Sequence, residues 1–350
     1  GHRDRVKRRA NRRGTLLLAR KMLLLRLTAL LRVAAAVESP VIGIFAQPTG
    51  VDQQYIAASY AKFVEMAGGR AMPLSYYASK ETMEAWFDQI NGVLFPGGAA
   101  DLPMAAQFAV DYSIEKFESG GEIFPVWGTC LGFEWLAEAC GGTLTRFQAE
   151  NISLPLLLTE KAESSYLFRN AAVRALVAKE ALTMNMHTQG VPPSEYDAGQ
   201  PLGEMFDVLA TNVDTGGLTF VSTVEAKNGY PLYGVQWHPE KNAFETGISD
   251  DGTFYIATNH SADAVAVTFD FANSLMQVAR KSTHAFQDPR TESAVLFNNC
   301  QTSTAKAPEF VESYFFSQDW DGSSPACPLD EDDGLELLKK PAVPTTSVLL

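Results

Sequence analysis

Short apolar runs alternate with segments of helical periodicity through the first 140 residues of this chain. The apolar runs, each typical of a buried strand, span residues 41–46, 71–74 and 93–95. The segments with apolar side chains at helical spacing span residues 53–66, 80–90 and 104–117. Strands that alternate with helices through short connections form a parallel sheet, whose ligands bind beyond the carboxyl ends of the strands. The pattern therefore predicts an α/β fold with a mostly parallel central sheet.

The chain loses this alternation after residue 141 and is predicted to form mainly β-structure and loops up to residue 233. The predicted strands there are residues 143–147, 207–212 and 218–223. Residues 262–282 again carry apolar side chains at helical spacing and predict one further helix. From residue 319 the chain is acidic and rich in Pro and Ser, with little to bury, so residues 319–350 are predicted to be a disordered tail.

A strand, a tight turn and a helix are predicted around the sequence Pro125-Val-Trp-Gly-Thr-Cys-Leu-Gly-Phe133. Gly128 and Gly132 leave room for a sharp turn with Cys130 at its tip, as in the Gly-x-nucleophile-x-Gly elbow. At a helix N-terminus the thiol is expected to have a lowered pKa, because the first turn favours the thiolate. A lone cysteine is more often a small buried apolar residue, but this spacing favours a nucleophile.

A second short apolar strand ends in the sequence Trp237-His-Pro-Glu240. A cysteine nucleophile needs a base that accepts its proton, and the base needs a neighbour that holds its ring in place. His-Pro-Glu alone is a short, unspecific string. Because it follows Gly-Thr-Cys-Leu-Gly by 108 residues, measured from Cys130 to His238, the pair predicts a catalytic Cys130, His238 and Glu240.

A third motif, Val93-Leu-Phe-Pro-Gly-Gly98, leads from a strand into a glycine loop. Acyl transfer needs backbone N–H groups aimed at the oxyanion that develops on the carbonyl. We predict that the amides of Gly98 and Leu131 form this oxyanion hole. Taken alone, the Gly-Gly pair would be an ordinary turn.

These motifs, in this order and spacing, resemble the class I glutamine-amidotransferase-like superfamily and, more narrowly, the γ-glutamyl hydrolase family. The resemblance covers about residues 40–285. The strings that carry the narrower resemblance are Pro40-Val-Ile-Gly-Ile44, Tyr55-Ile-Ala-Ala-Ser-Tyr60, Asn91-Gly-Val-Leu-Phe-Pro-Gly-Gly98, Phe124-Pro-Val-Trp-Gly-Thr-Cys-Leu-Gly-Phe-Glu134 and Tyr233-Gly-Val-Gln-Trp-His-Pro-Glu-Lys241. The resemblance implies a three-layer α/β/α fold, a catalytic domain over residues 39–318 and a further strand over residues 310–316.

The resemblance also implies a chemistry: cysteine-dependent hydrolysis of γ-glutamyl bonds through a thioester, with poly-γ-glutamyl folates as substrates, no cofactor and homodimers as a common state. The spacing of His187 indicates an exposed loop residue, but a histidine in a similar stretch lies at the active site of family members, so we expect His187 to bind substrate. Glu134 is expected either to complement the helix dipole or to recognise the α-amino group of a glutamate. The scattered histidines and cysteines lack metal-binding spacing.

Two other functions stay open at this point. A glutaminase of an amidotransferase, or a hydrolase of another small γ-glutamyl amide, would use the same three motifs. Nothing after residue 285 is long enough to be a synthase domain, so an amidotransferase would need a separate partner chain. An inactive binding or storage protein on the same fold is the third alternative, against which stands the presence of all three catalytic side chains.

The charge of the chain is strongly asymmetric. Residues 1–32 hold eleven Lys or Arg and one acid, whereas residues 33–350 hold 17 basic and 40 acidic residues, a net charge of −23. An acidic body argues against a nucleic-acid partner, which needs a basic surface. A polyanionic substrate would therefore need a local basic patch near the cleft, for which Arg70, Arg146 and Lys241 are the candidates.

Residues 1–38 are predicted to be a targeting segment. Residues 22–36 have the basic lead, apolar stretch and small residues of a signal peptide, although Arg26 and Arg32 interrupt it, and an Arg-rich organelle presequence is the alternative. No uninterrupted apolar stretch of about 18 residues occurs, so stable membrane insertion is not expected. We expect a secretory route that ends in a vacuole, a lysosome or outside the cell.

The cysteines and glycosylation sequons bear on the same compartment. Sequons occur at Asn151 and Asn259 and add modest support for secretion. The four cysteines are Cys130, Cys140, Cys300 and Cys327. If Cys130 is a free nucleophile, at most one disulfide forms, which excludes a disulfide-framework protein.

Overall fold

The computed structural model describes residues 37–50, 52–248, 256–304 and 310–327. Its strands, in chain order, are β1 Val41–Phe45, β2 Gln47–Pro48, β3 Gln53–Ala57, β4 Arg70–Leu74, β5 Val93–Phe95, β6 Val126–Thr129, β7 Thr145–Leu154, β8 Leu157–Leu158, β9 Thr183–Gly190, β10 Phe206–Val213, β11 Thr219–Ala226, β12 Leu232–Val235, β13 Thr302–Ser303 and β14 Ser313–Ser317. Its α-helices are α1 Ala58–Met66, α2 Lys80–Phe87, α3 Met104–Gly120, α4 Leu131–Ala139, α5 Ala171–Lys179, α6 Pro201–Met205, α7 Lys241–Phe244, α8 Ala262–Ala279 and α9 Pro289–Val295.

The central sheet has eight strands in the order β4-β1-β5-β6-β12-β11-β10-β8. The five strands from β4 to β12 are parallel to one another, and β11, β10 and β8 continue the sheet in antiparallel fashion. The predicted α/β fold with a mostly parallel sheet is confirmed.

Helices cover both faces of this sheet because its parallel strands carry apolar side chains on both sides. In β1, Ile42 and Ile44 belong to the core that includes α1 and α8, whereas Val41 and Phe45 belong to the core that includes α2, α3 and α4. Successive side chains of a strand point to opposite faces, so one apolar run supplies two cores. Each fully buried side chain of this size contributes roughly 1.5–3 kcal/mol. The result is the three-layer α/β/α arrangement that the resemblance implied.

The three motif-bearing strands β5, β6 and β12 lie side by side in the sheet. Because they are parallel, their carboxyl ends meet at one edge. Gly98, Cys130 and His238 each follow one of these ends, so the topology brings all three motifs to the same place.

The predicted helix over residues 53–66 is only partly correct, because its first five residues form β3. This strand pairs with β14 in a second sheet, with Tyr55 opposite Phe315 and Gln53 opposite Ser317. The predicted strand over residues 310–316 corresponds to β14, which begins three residues later. Local periodicity alone could not indicate a strand at 53–57, because the strand that pairs with these residues lies some 260 residues away along the chain.

The predicted start of a disordered tail at residue 319 is wrong, because residues 319–327 pack against the catalytic domain. The carbonyl of Trp320 accepts hydrogen bonds from Gln54 Nε2 (2.8 Å) and Ser75 Oγ (2.7 Å). Trp86 Nε1 donates to the carbonyl of Gly322 (2.8 Å), and a disulfide joins Cys300 to Cys327. Side-chain hydrogen bonds to its carbonyls and the cross-link together hold this acidic segment in place, despite its few apolar side chains.

Most of the predicted targeting segment and the rest of the predicted tail lie outside the described residues. Of these two regions the structure describes only residues 37–38 and 319–327. Within the part of the chain that it describes, no helix is both long and apolar enough to cross a bilayer.

Candidate active site

Cys130 lies at the tip of the sharp turn between β6 and α4. Its backbone has φ = 54° and ψ = −111°, a conformation that costs a non-glycine residue roughly 1–3 kcal/mol. The turn is tight because a Cβ atom on Gly128 would overlap the backbone of Gly132, and one on Gly132 would overlap the carbonyl of Phe95. The predicted elbow is therefore present, with the strained residue at the position of the nucleophile.

His238 and Glu240 lie just beyond β12 and form a buried pair. His238 Nδ1 is 2.7 Å from Glu240 Oε1, and both side chains are buried. This contact leaves His238 Nε2 as the nitrogen that can act on substrate, and Nε2 has no hydrogen-bond partner among the described residues. Glu240 thus fixes the orientation of the ring and, as the acceptor, the proton on Nδ1.

The imidazole and the thiol flank a single point at the end of β5. A Cβ atom built on Gly97 would lie 2.5 Å from His238 Cε1 and 3.2 Å from Cys130 Cβ. The Cys130 thiol donates a long hydrogen bond (3.7 Å) to the carbonyl of Met186. Catalytic hydrogen bonds often form only when substrate binds, so a small rotation of the thiol towards His238 is consistent with this geometry.

The environment of the thiol does not support the expected low pKa. Burial, followed by the charges of Glu134 and Glu240, raises the pKa of Cys130 well above its usual value, although the Leu131 N–H opposes this. Burial also lowers the pKa of His238 below 6.5. For Glu240 burial opposes ionisation, but the interaction with His238 outweighs it and lowers the pKa. The resting site therefore holds a neutral thiol, a neutral imidazole and a carboxylate, and the base must remove the thiol proton during attack.

The predicted oxyanion-hole residues Gly98 and Leu131 both line the same cleft as Cys130. The glycine loop is held by two side chains, Gln47 and Tyr60, to which no role in the site was assigned from the sequence. Gln47 Nε2 donates to the carbonyls of Pro96 (3.2 Å) and Gly97 (2.9 Å). The hydroxyl of Tyr60 accepts from the Gly97 N–H (2.7 Å) and lies 3.3 Å from His238 Nδ1.

The sequence offered a signal for Tyr60, which ends the string Tyr-Ile-Ala-Ala-Ser-Tyr. Its helical spacing indicated a core position, and the side chain is indeed buried in that core. Only the structure shows that its hydroxyl joins the glycine loop to the His238–Glu240 pair.

The catalytic residues open onto a cleft of about 560 Å³. The described residues that line it are Tyr55, Gly98, Ala99, Ala100, Asp101, Cys130, Leu131, Glu134, Glu150, Met186, His187, Thr188, Gln189, His238, Lys241 and Phe310. All the predicted catalytic, oxyanion-hole and substrate-binding residues lie in this set except Glu240, which supports His238 from behind. The roles assigned to them stay predictions, but the structure brings them together.

His187 is a buried residue of β9, so the exposed loop indicated by spacing is wrong. Its Nδ1 is 2.6 Å from the carbonyl of Gln189 and its Nε2 is 3.2 Å from Asn185 Oδ1. Burial lowers its pKa to about 4, so the ring is neutral at neutral pH. The structure places it in the cleft, where the resemblance expected it.

Glu134 is also buried at the cleft and accepts a hydrogen bond from Gln236 Nε2 (2.9 Å). Burial raises its pKa to about 7, so it is largely protonated in acidic solution and ionised only in alkaline solution. A carboxyl group in this state can accept from, or donate to, a polar group of a ligand.

Two of the three basic candidates for a substrate-binding patch are not at the cleft. Arg70 begins β4 at the amino end of the sheet, where it pairs with Glu292 and donates to the carbonyl of Ser39. Arg146 is an exposed residue of β7 and does not line the cleft. Lys241 does line it and is buried. The predicted basic patch is therefore reduced to one lysine.

The described residues contain no group of three or more His, Cys, Asp or Glu side chains arranged to hold a metal ion. Of the cysteines, Cys300 and Cys327 form the single disulfide that the cysteine count allowed, and Cys130 and Cys140 are free thiols.

Comparison with known proteins agrees with this geometry. The family described as "Glutamine amidotransferase class-I" matches residues 65–249. The chain is 35% identical over 297 residues to gamma-glutamyl hydrolase B of Dictyostelium discoideum, and the aligned region covers 80% of this chain and 83% of that protein. It is 35% identical over 295 residues to gamma-glutamyl hydrolase of Homo sapiens, with 80% and 90% covered. It is also 35% identical over 298 residues to gamma-glutamyl hydrolase 1 of Arabidopsis thaliana, with 80% and 83% covered. The chain therefore belongs to the class I glutamine amidotransferase family, within its γ-glutamyl hydrolase branch.

Proposed function

We propose that this protein hydrolyses γ-glutamyl amide bonds through a thioester on Cys130, and that poly-γ-glutamyl folates are its substrates. The observation that carries the proposal is the pairing of Cys130 and His238 at the ends of adjacent parallel strands, with Glu240 bound to the far side of the imidazole. The relatives named above supply the bond type, and the cleft offers space for a chain of glutamates.

The first half of the reaction starts from neutral groups. The Cys130 thiol turns from the Met186 carbonyl towards His238 Nε2, which takes its proton as the sulfur attacks the γ-carbonyl carbon. The amides of Gly98 and Leu131 donate to the resulting oxyanion. When the tetrahedral intermediate collapses, the C–N bond breaks and His238 returns the proton to the departing amine, which leaves a γ-glutamyl thioester.

The second half uses water. His238 Nε2 takes one proton from a water molecule as its oxygen attacks the thioester carbonyl, and the same two amides donate to the oxyanion. The C–S bond then breaks and the proton passes to the sulfur, so that Cys130 is again a neutral thiol. Glu240 stays ionised throughout and stabilises the imidazolium that forms in each half.

The test is product analysis on pteroyl-pentaglutamate, with free glutamine in a parallel reaction. We expect release of glutamate or short γ-glutamyl peptides, and a loss of several orders of magnitude in kcat for Cys130→Ala. A Cys130→Ala protein with wild-type turnover would refute the mechanism. Turnover of glutamine alone would instead indicate the glutaminase of an amidotransferase.

We further propose that the protein follows the secretory route. The signal-like pattern of residues 22–36, the Cys300–Cys327 disulfide and the exposed sequon at Asn151 support this, because disulfides persist in oxidising compartments. Expression of a tagged full-length chain in cultured eukaryotic cells, followed by glycosidase digestion, would test it. A glycosidase-insensitive protein that remains in the cytosolic fraction would count against secretion.

A further inference from the structure

The cleft has an unusual charge for an enzyme of anionic substrates. Three carboxyl groups line it, those of Asp101, Glu134 and Glu150. A γ-glutamyl group carries an α-carboxylate separated from the reacting γ-carbonyl by a short chain of methylene carbons. This carboxylate must therefore enter an acidic cleft whenever Cys130 reaches its target, and it needs a cation there.

Lys241 is the only Lys or Arg among the described residues that line this cleft. Its side chain is 1% exposed, and the buried carboxylate with which it interacts, that of Glu240, is already hydrogen-bonded to His238. Its ammonium instead lies over the ring of Phe310, 4.4 Å from the centroid. Burial of a charge is costly, and the face of one ring compensates only a part of that cost. The ammonium is therefore placed to gain stabilisation from an anionic group of a ligand that enters the cleft.

The surroundings hold Lys241 in place relative to the catalytic pair. Lys241 begins α7 and directly follows Glu240, which binds the imidazole. The backbone N–H of Glu245 donates to the carbonyl of Lys241 (3.0 Å), and Glu245 Oε2 accepts from the N–H of Val311 (2.7 Å). Glu245, which directly follows α7, thus connects the carbonyl of Lys241 to the segment that carries Phe310.

We infer that Lys241, set against Phe310, is the subsite that binds the α-carboxylate of the γ-glutamyl group under attack. This inference rests on the proposed function and assigns the specificity of the site to one residue. It makes the enzyme selective for γ-linked glutamate over the same acyl chain without an α-carboxylate. Lys241 contacts substrate in this scheme but takes no part in proton transfer.

The test compares two chromogenic substrates, N-acetyl-γ-glutamyl-p-nitroanilide with its α-carboxylate free and the same compound with that carboxylate converted to a primary amide. We expect the wild type to prefer the acid, and Lys241→Met to lose roughly 10- to 100-fold in kcat/KM on the acid while changing little on the amide. Lys161→Met removes an exposed lysine that pairs with Asp207 away from the cleft, and should keep the wild-type preference. A Lys241→Met enzyme that still prefers the acid as strongly as the wild type would overturn the inference alone. A wild type that cleaves neither anilide nor pteroyl-pentaglutamate would overturn the proposed function.

A binding measurement covers the case in which Lys241→Met lacks turnover on both substrates. Calorimetry would compare N-acetylglutamate with its α-amide as ligands of the Cys130→Ala protein, with and without Lys241→Met. We expect the second substitution to weaken binding of the acid by roughly 10- to 100-fold and leave the amide unaffected. Equal weakening of both ligands, or of neither, would refute the α-carboxylate subsite.

Discussion

Removal of one oxygen atom from Tyr60 should impair catalysis while leaving the fold intact. The Tyr60 hydroxyl accepts the Gly97 N–H at 2.7 Å and lies 3.3 Å from His238 Nδ1, so it joins the glycine loop to the base. Burial and the charge of Glu240 raise its pKa well above the usual value, so the group acts as a neutral phenol. In Tyr60→Phe the ring remains and only these polar contacts disappear.

The magnitude follows from the buried N–H that this substitution leaves without an acceptor. Such a group costs roughly 1–3 kcal/mol, which corresponds to a fall of about 5- to 150-fold in rate if the loss appears in the transition state. We expect the fall mainly in kcat, with KM nearly unchanged, because the Gly97–Gly98 loop carries an oxyanion donor rather than a ground-state contact.

The assay is steady-state hydrolysis of a γ-glutamyl substrate over a range of pH, with unfolding in urea measured alongside. Tyr112→Phe is the matched control, because that buried tyrosine donates to Asp88 (2.7 Å) and does not line the cleft. It should lose stability but not kcat. A Tyr60→Phe enzyme whose kcat stays within about twofold of the wild type would refute the coupling between the loop and the base.

Three further outcomes are expected. Gly97→Ala places a methyl group 2.5 Å from the catalytic imidazole and should lower kcat about 100-fold or more. Gly120→Ala, which has open space around its Cβ, should keep the wild-type kcat, and circular dichroism of both variants serves as the folding control. Replacement of Cys300 and Cys327 by Ser opens a loop of 27 residues and should lower the free energy of unfolding by about 3.5 kcal/mol in urea titrations, and an unchanged midpoint would contradict this. Because burial raises the pKa of Glu134 from 4.5 to about 7, the stability that this carboxyl group contributes is fully present below pH 4.5 and is lost as the pH rises through 7. The free energy of unfolding of Glu134→Gln should therefore rise by up to about 3 kcal/mol relative to that of the wild type across this range, and a pH-independent difference would refute the shift.

The parts of the active site that follow directly from strands were predictable from sequence. Gly98, Cys130 and His238 each come just after a short apolar run, and parallel strands place their carboxyl ends together whatever their order in the chain. The orienting role of Glu240 also followed, because it lies two residues from His238.

The features that depend on distant pairing were not predictable. Gln53–Ala57 is a strand only because Ser313–Ser317 comes beside it, and Gln47 supports the glycine loop only because β2 ends near that loop. The pKa of Cys130 was expected to fall because of the helix dipole alone. Burial, followed by the charges of Glu134 and Glu240, outweighs this local effect, and the degree of burial cannot be read from the elbow sequence.

The pairing of β3 with β14 has a consequence for synthesis on the ribosome. Gln54 and Ser317 are 263 residues apart, so at roughly 5–20 residues per second β3 waits about 13–50 s before its partner has been made. During that interval the nascent chain already contains the elbow and the His-Pro-Glu motif, but it exposes an unpaired strand edge that invites misassembly. The side chain that backs Lys241 is also missing until Phe310 has been added. Maturation of the cleft is thus delayed until translation has passed Ser317, and chaperones that bind extended segments can act before that point.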